Sequence, residues 1–327
     1  MRSLNSLVVA IVATLLLVPA TTSAQADSDY PKQPIRLISP FAPGGSSDTL
    51  ARIIAPELSR RLSQQVIVEN RPGAGGNIGV DAVAKARPDG YTIGLASPGP
   101  MVVNVTLMDS LPYDPLKDVV PISLIADLPI VMVAHPSVAA NNVTELIALE
   151  KSKPGSLSFA SAGVGTTMHL SGELLNMMTG MRLVHVAYKG AAPAMTDILG
   201  GQVQLGFVDL PAASAHAKVG RVKMLAIGNA RRTRTAPELP TIAESGVPGY
   251  ETGGWFGLIA PGGTPKAIIT RLHAEIADVM NTPSVRERIL QIGIEPMATT
   301  PDEFATFIRA EIPKWARVID ASKARGK

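Results

Sequence analysis

Short runs rich in β-branched and aliphatic residues alternate along most of the chain with segments whose apolar positions recur every three or four residues. The runs at 35–39, 66–69, 91–96, 157–160, 183–188, 203–208 and 222–227 predict strands. The segments at 48–63, 77–86, 166–178 and 192–199 predict helices. Within 48–63, Leu50, Ile53, Ile54, Leu58 and Leu62 share one helix face, and Pro56 is the point at which that helix would kink. Strand and helix in alternation predict an α/β fold whose sheets are mainly parallel and flanked by helices.

The alternation occurs twice. A strand ending at Ser39 runs into Phe41-Ala-Pro-Gly-Gly-Ser-Ser47, the next into Asn70-Arg-Pro-Gly-Ala-Gly-Gly76, and a third ends at Ser97-Pro-Gly-Pro100. Later, one strand runs into Ser161-Ala-Gly-Val-Gly-Thr166, the next into Tyr188-Lys-Gly-Ala191, and a third ends at Val208-Asp209-Leu-Pro211. Offsets of 119 (Gly44 to Gly163), 117 (Gly73 to Gly190) and 112 (Ser97 to Asp209) are nearly constant, so two similar lobes are expected. After Gly253 the pattern reads strand, helix (265–280), helix (284–292) and a long helix from 301 to about 323. It repeats nothing earlier, so it is either a small third domain or, the reading preferred, a return to the first lobe. Crossings near 123–129 and 247–257 would then form a hinge with the ligand between lobes.

The amino terminus changes the picture of the compartment. Arg2 precedes an apolar run from Leu7 to Val18 broken only by Thr14, and Ala24-Gln25-Ala26 fits a small-residue cleavage site. Twelve helical residues rise about 18 Å against a hydrocarbon core of roughly 30 Å, so a secretory leader over 1–26 is expected instead of a membrane anchor. Cleavage after Ala24 or Ala26 would release a periplasmic chain, and no cysteine is there to carry a lipid. Its expected division is 27–125 for the first part of lobe 1, 126–250 for lobe 2, and 251–327 for the return to lobe 1. With no cysteine in the sequence, thiol chemistry and thiolate metal sites are excluded. The net charge is +3, and the one dense basic stretch, Arg231 to Arg234, has no interleaved aromatics. A nucleic-acid partner is not expected, because it would need a basic face with stacking rings.

Ligands of open parallel sheets bind outside the carboxyl ends of the strands, where all six loops lie. Four of the loops open helices, whose unpaired N–H groups and dipole ends attract anions. Each exposed dipole end contributes only about 0.3–1 kcal/mol, while a hydrogen bond to a charged acceptor adds roughly 1.5–3 kcal/mol. Several donors from two lobes suffice for a carboxylate. The candidate ligand residues are Phe41, Ala42, Gly44, Gly45, Ser46, Ser47 and Asp48 in the first lobe, and Ser161, Gly163, Gly165, Thr166, His169, Tyr188, Lys189, Gly190 and Asp209 in the second. The backbone of 42–47 and 163–166 would carry most of the binding. Three members have a plainer alternative. Asp48 fits a helix-start acceptor, His169 a packed or capping residue, and Asp209 either orders its loop or accepts an ammonium. Trp255 and Phe256 fit hinge packing better than a ligand platform.

Nucleotide and enzyme chemistries are not supported. Gly73-Ala-Gly75 has Ile78, and Gly163-Val-Gly165 has Met168, where a dinucleotide fingerprint needs its third glycine, and no phosphate-loop lysine motif occurs. There is no G-x-S-x-G, no H-E-x-x-H, and the histidines at 135, 169, 185, 216 and 273 never pair at ligand spacing. No cofactor, metal or catalytic site is expected. A ligand-reporting sensor remains an alternative to a transport receptor, and a periplasmic enzyme is the weaker one.

Several ordered motifs carry a family resemblance. They are Tyr30-Pro31, Phe41-Ala-Pro-Gly-Gly-Ser-Ser-Asp48, Val68-Glu-Asn-Arg-Pro-Gly-Ala-Gly-Gly-Asn77, Lys85-Ala-Arg-Pro-Asp-Gly-Tyr91, Pro115-Leu-Lys-Asp118, His185-Val-Ala-Tyr-Lys-Gly190 and Leu239-Pro-Thr-Ile-Ala-Glu-Ser-Gly246. Across essentially the whole mature chain, the sequence resembles the TctC-type extracytoplasmic receptors, or Bug proteins, of tripartite tricarboxylate transporters. A monomer is expected, and the resemblance implies a two-lobed periplasmic-binding-protein (Venus flytrap) fold. It also implies a small carboxylate held by backbone amides and bridging waters, and delivery to a two-component membrane permease. The side chains that tune ligand choice vary in that family, so the ligand stays open.

Overall fold

The computed structural model describes residues 30–322, so the expected leader lies outside the described residues. Among these residues, eleven strands form two sheets. The first unit of the first sheet comprises β1 (Ile35–Ser39), α1 (Ser46–Leu62), β2 (Val66–Asn70), α2 (Asn77–Ala84) and β3 (Thr92–Ala96). β1 pairs in parallel with both β2 and β3. The predicted apolar face of α1 is buried at Leu50, Ile53, Ile54, Leu58 and Leu62, and Pro56 lies inside the helix. After a π-helical turn at Gly99–Val103 and the short α3 (Asn104–Leu107), β4 (Val119–Leu128) runs along the same sheet.

Pro129 alone joins β4 to β5 (Ile130–Ala134), which belongs to the second sheet. There follow α4 (Val143–Ser152), β6 (Ser158–Ser161), α5 (Thr167–Thr179), β7 (Val184–Ala187), α6 (Ala191–Leu199), β8 (Leu205–Asp209), α7 (Leu210–Lys218) and β9 (Lys223–Ile227). The chain then returns through β10 (Gly254–Pro261), α8 (Lys266–Asn281), α9 (Pro283–Gln291), β11 (Glu295–Pro296) and α10 (Pro301–Ser322). β10 and β11 join the first sheet.

The strand orders are β11-β4-β10-β3-β1-β2 and β7-β6-β8-β5-β9. Each sheet holds three parallel strands in the same relative order, β2-β1-β3 and β7-β6-β8, which is the repeat legible in the offsets. Beside the third strand of each lies an antiparallel crossing strand, β10 or β5, followed by a further antiparallel partner, β4 or β9. Parallel pairing therefore covers the three strand–loop–helix units of each lobe, while β10 and β5 beside them run the other way.

The two crossings are tied together. Gly228 donates to the Ile130 carbonyl (2.7 Å), Thr252 donates to the Gly228 carbonyl (2.8 Å), and Gly254 pairs with Leu128. The second sheet has apolar cores on both faces, one around Phe159, Phe207 and Tyr250 and the other around Ala194, Ile198 and Val208. The first sheet's core includes Trp255, Phe304, Trp315 and Ile319, which places α10 against it. No described helix is long and apolar enough to cross a membrane.

Two helices in the second half went unpredicted. α4 is capped by Asn142, which accepts from Glu145 N–H (2.8 Å). α7 starts with Asp209 as its cap and Pro211 in its first turn, where the missing N–H of proline costs nothing.

Candidate functional site

The glycine-rich loops after β1–β3 and after β6–β8 meet across the two sheets. Ala42 N–H donates to the Lys189 carbonyl at 3.1 Å. A Cβ built on Gly99 would lie 2.9 Å from the Gly165 carbonyl oxygen, one on Gly75 2.3 Å from that of Val164, and one on Gly165 2.0 Å from Asn104 Oδ1. Side chains at these positions would hold the lobes apart. Glycine permits both the close approach and the positive φ found at Gly75 (63°) and Gly165 (77°).

Between the lobes lies a cavity with about 480 Å³ of empty space, part of it open to solvent. From the first lobe it is lined by Phe41, Gly45, Ser46, Ser47, Ser97, Pro98 and Gly99, and from the second by Ala162, Thr166, Thr167, Met168, Ala191 and Asp209. Leu128, Ile130, Gly254, Trp255 and Phe256 of the crossing strands close it. Of the expected ligand residues, Phe41, Gly45, Ser46, Ser47, Thr166 and Asp209 come together here. Ala42, Gly44, Asp48, Ser161, Gly163, Gly165, His169, Tyr188, Lys189 and Gly190 do not line it.

Hydrogen bonding explains that division. Gly44 N–H is taken by Asp48 Oδ2 (3.0 Å), and Asp48 also holds Arg52 (3.0 Å), which keeps its carboxyl below the usual range despite burial. Asp48 therefore takes the plainer role as acceptor at the start of α1. Gly163 N–H donates to Ser161 Oγ (3.1 Å), Thr166 N–H to the Gly163 carbonyl (3.2 Å), and Gly165 N–H to His169 Nδ1 (3.3 Å). Tyr188 turns its hydroxyl to Asp197 (2.6 Å); burial first, then this bond, pushes its pKa up to about 12. The backbone donors expected at 42, 44, 163, 165 and 166 are thus engaged internally. The first-turn N–H groups of Ser46 and Ser47 on α1, and of Thr167 and Met168 on α5, make no hydrogen bond among the described residues. All four residues line the cavity. Such helix starts are ready anion sites.

A buried polar chain stands behind the second-lobe loop. Ser161 Oγ lies 2.6 Å from His185 Nε2, the His185 and His169 rings stack with centroids 4.1 Å apart, and His169 Nε2 lies 4.0 Å from Glu173. Burial, with the neighbouring His169, pushes the His185 pKa down to about 4, so the ring is neutral at physiological pH. The grouping resembles a nucleophile–base pair, but Ser161 is fully buried and its hydroxyl is bonded to both the N–H and the carbonyl of Gly163. It braces the loop. Among the described residues no three His, Cys, Asp or Glu side chains are grouped for a metal ion.

Asp209 is the only charged residue in the cavity wall. Burial pushes its carboxyl up to about 6, opposed by the nearby Ser46 hydroxyl and the N–H of Ala212. The Ser46 hydroxyl makes no hydrogen bond of normal geometry, and neither does the indole N–H of Trp255. Sequence reasoning placed Trp255 and Phe256 in the hinge. They reach the cavity because β10 lies between β4 and β3 in the middle of the first sheet.

Residues 50–323 match the TctC family, the tripartite tricarboxylate transporter family receptor. BugT of Bordetella pertussis is 39% identical over 315 residues, covering 96% of this chain and 97% of BugT. Among solved structures, an R. palustris protein with adipate superposes with a TM-score of 0.87 at 37% identity, covering 90% of this chain and 98% of that one. MatC from Rhodopseudomonas palustris with bound malate gives a TM-score of 0.85 at 31% identity, covering 89% and 100%. These are two-lobed solute-binding receptors, not enzymes.

Proposed function

Because the chain belongs to the TctC receptor family, we propose that it is exported, captures one small carboxylate between its lobes in the periplasm, and delivers it to a two-component membrane permease. The observation that carries this reading is a cavity closed by both lobes, into whose wall two helices bring first-turn N–H groups without partners. A carboxylate there replaces lost hydration with preset donors and meets the positive ends of α1 and α5. Adipate and malate in the related structures support a carboxylate ligand. Ser46, Ser47, Thr167 and Met168 donate. Phe41, Gly45, Thr166 and Ala191 shape the cavity, while Ala42, Gly44, Gly163, Gly165 and Gly190 let the lobes close.

In this reading residues 1–26 are a cleaved leader, 27–125 and 251–327 make one lobe, and 126–250 make the other. Closure turns about the Pro129 and 228–254 crossings. A thermal-shift screen of small carboxylates on the mature chain tests it. A ligand at one hundred times its Kd adds about 2.7 kcal/mol of stability. If uncharged sugars or amines raise the Tm while carboxylates do not, the reading fails.

A further inference from the structure

The cavity wall buries a carboxylate that has no cation beside it and two polar groups that make no hydrogen bond of normal geometry. Asp209 is 2% exposed; Oδ1 caps α7 by accepting from Ala212 N–H (3.2 Å), the Ser46 hydroxyl lies beside the carboxyl, and no cation acts on it among the described residues. The Ser46 hydroxyl and the Trp255 indole N–H, on residues 4% and 5% exposed, make no hydrogen bond of normal geometry. A buried carboxylate with no cation beside it calls for one on the ligand.

The helix starts make the opposite demand. Ser46 belongs to both poles, since its N–H is one of the α1 donors and its hydroxyl lies beside Asp209. The anion-seeking and cation-seeking ends are therefore adjacent. The rest of the wall includes Leu128, Ile130, Met168, Trp255 and Phe256, and no lysine, arginine or histidine lines it to neutralise Asp209.

Resting on the carboxylate-receptor reading above, we propose that the ligand is an α- or β-amino acid zwitterion with an apolar side chain. Its carboxylate sits on the N–H groups of Ser46 and Ser47, its ammonium on Asp209, and its side chain against Leu128, Ile130, Met168 and Phe256. The neighbouring charges are engaged elsewhere: Asp48 with Arg52, His169 beside Glu173, and Asp197 with Tyr188. None of them lines the cavity, and none shifts the Asp209 carboxyl.

Calorimetric titration of the mature chain and its Asp209→Asn variant decides the matter. The probes are matched pairs: leucine with 4-methylpentanoate, phenylalanine with 3-phenylpropanoate, and 3-aminobutanoate with butanoate, together with adipate. Asparagine keeps the oxygen that caps α7, so the variant folds, and melting curves check this. We expect the amino member of at least one pair to bind at least about tenfold more tightly than its deamino partner, the lower end for a charged hydrogen bond. Asp209→Asn should erase that preference. Ammonium binding favours the ionised carboxylate, so near pH 6 it releases protons and affinity rises with pH. Deamino acids or adipate binding as tightly or more tightly, with Asp209→Asn neutral or improving, would overturn the zwitterion while leaving a carboxylate receptor. Binding of neither class would sink both.

Discussion

Gly165→Ala should separate closure from folding. Gly165 sits at φ 77° in the loop before α5, and an added Cβ would lie 2.0 Å from Asn104 Oδ1 across the cleft. Ordinary contact begins near 3.4 Å, so the lobes or Asn104 must give by about 1.4 Å. Asn104 has little room to give, being fully buried with its Nδ2 bonded to Asn77 Oδ1 at 2.8 Å. Overpacking of this kind costs roughly 1–3 kcal/mol, here only in the closed form, which translates to a loss of affinity of roughly 5- to 150-fold. The left-handed φ adds about 1–2 kcal/mol in open and closed forms alike. Gly180→Ala isolates that second cost, because Gly180 has φ 74° and nothing within 4 Å of a built Cβ. Both variants should melt earlier by similar amounts, but only Gly165→Ala should lose affinity for the best carboxylate from the screen and fail to compact in small-angle scattering. Equal affinity in the two variants would refute a closure that depends on this contact.

Further tests concern the buried ionisable groups and the packing. Asp209 has its folded pKa raised to about 6 from 3.8, so the folded state holds the extra proton between these values and stability falls as pH rises through that window. Asp209→Asn should therefore stabilise the ligand-free protein at pH 7.5 by up to about 3 kcal/mol, with the gain gone near pH 4 in denaturant titrations. His185 is shifted the other way, so its contribution is present above pH 6.5 and lost as pH falls towards 4. Its ring resonances in NMR should show the neutral form persisting to about pH 4, and titration near 6.5 would contradict the packing around it. Gly172→Ala places a Cβ 2.2 Å from the fully buried Phe159 ring, and should destabilise by about 1–3 kcal/mol in spite of better helix propensity; an unchanged Tm would contradict that packing.

The three strand–loop–helix units of each lobe were legible because apolar periodicity changes sharply at each glycine-rich turn; β1 was placed to the residue and the ends of the other strands to within two. The crossing was less so. β4 carries Pro121 and runs into Pro129, which in sequence breaks a strand, yet Pro121 is accommodated where the β4–β10 register shifts. α7 was hidden by Leu210-Pro211, a pair that suggests a loop until Asp209 is recognised as a cap. In the site, glycine spacing located the loops but could not show which N–H groups remain unpaired. That depends on Ser161, His169 and Asp48 folding back onto their own loops, a choice made by side-chain geometry and not by residue type.

The most direct test of the account is a crystal structure of the mature chain with the carboxylate that gives the largest thermal shift. The account predicts the ligand in the cavity between Phe41, Thr166 and Trp255, enclosed by both lobes, with its carboxylate oxygens within hydrogen-bond reach of the Ser46 and Ser47 or Thr167 and Met168 N–H groups. A ligand held by one lobe alone, or clamped by Arg71 or Lys189 with those donors left bare, would contradict it.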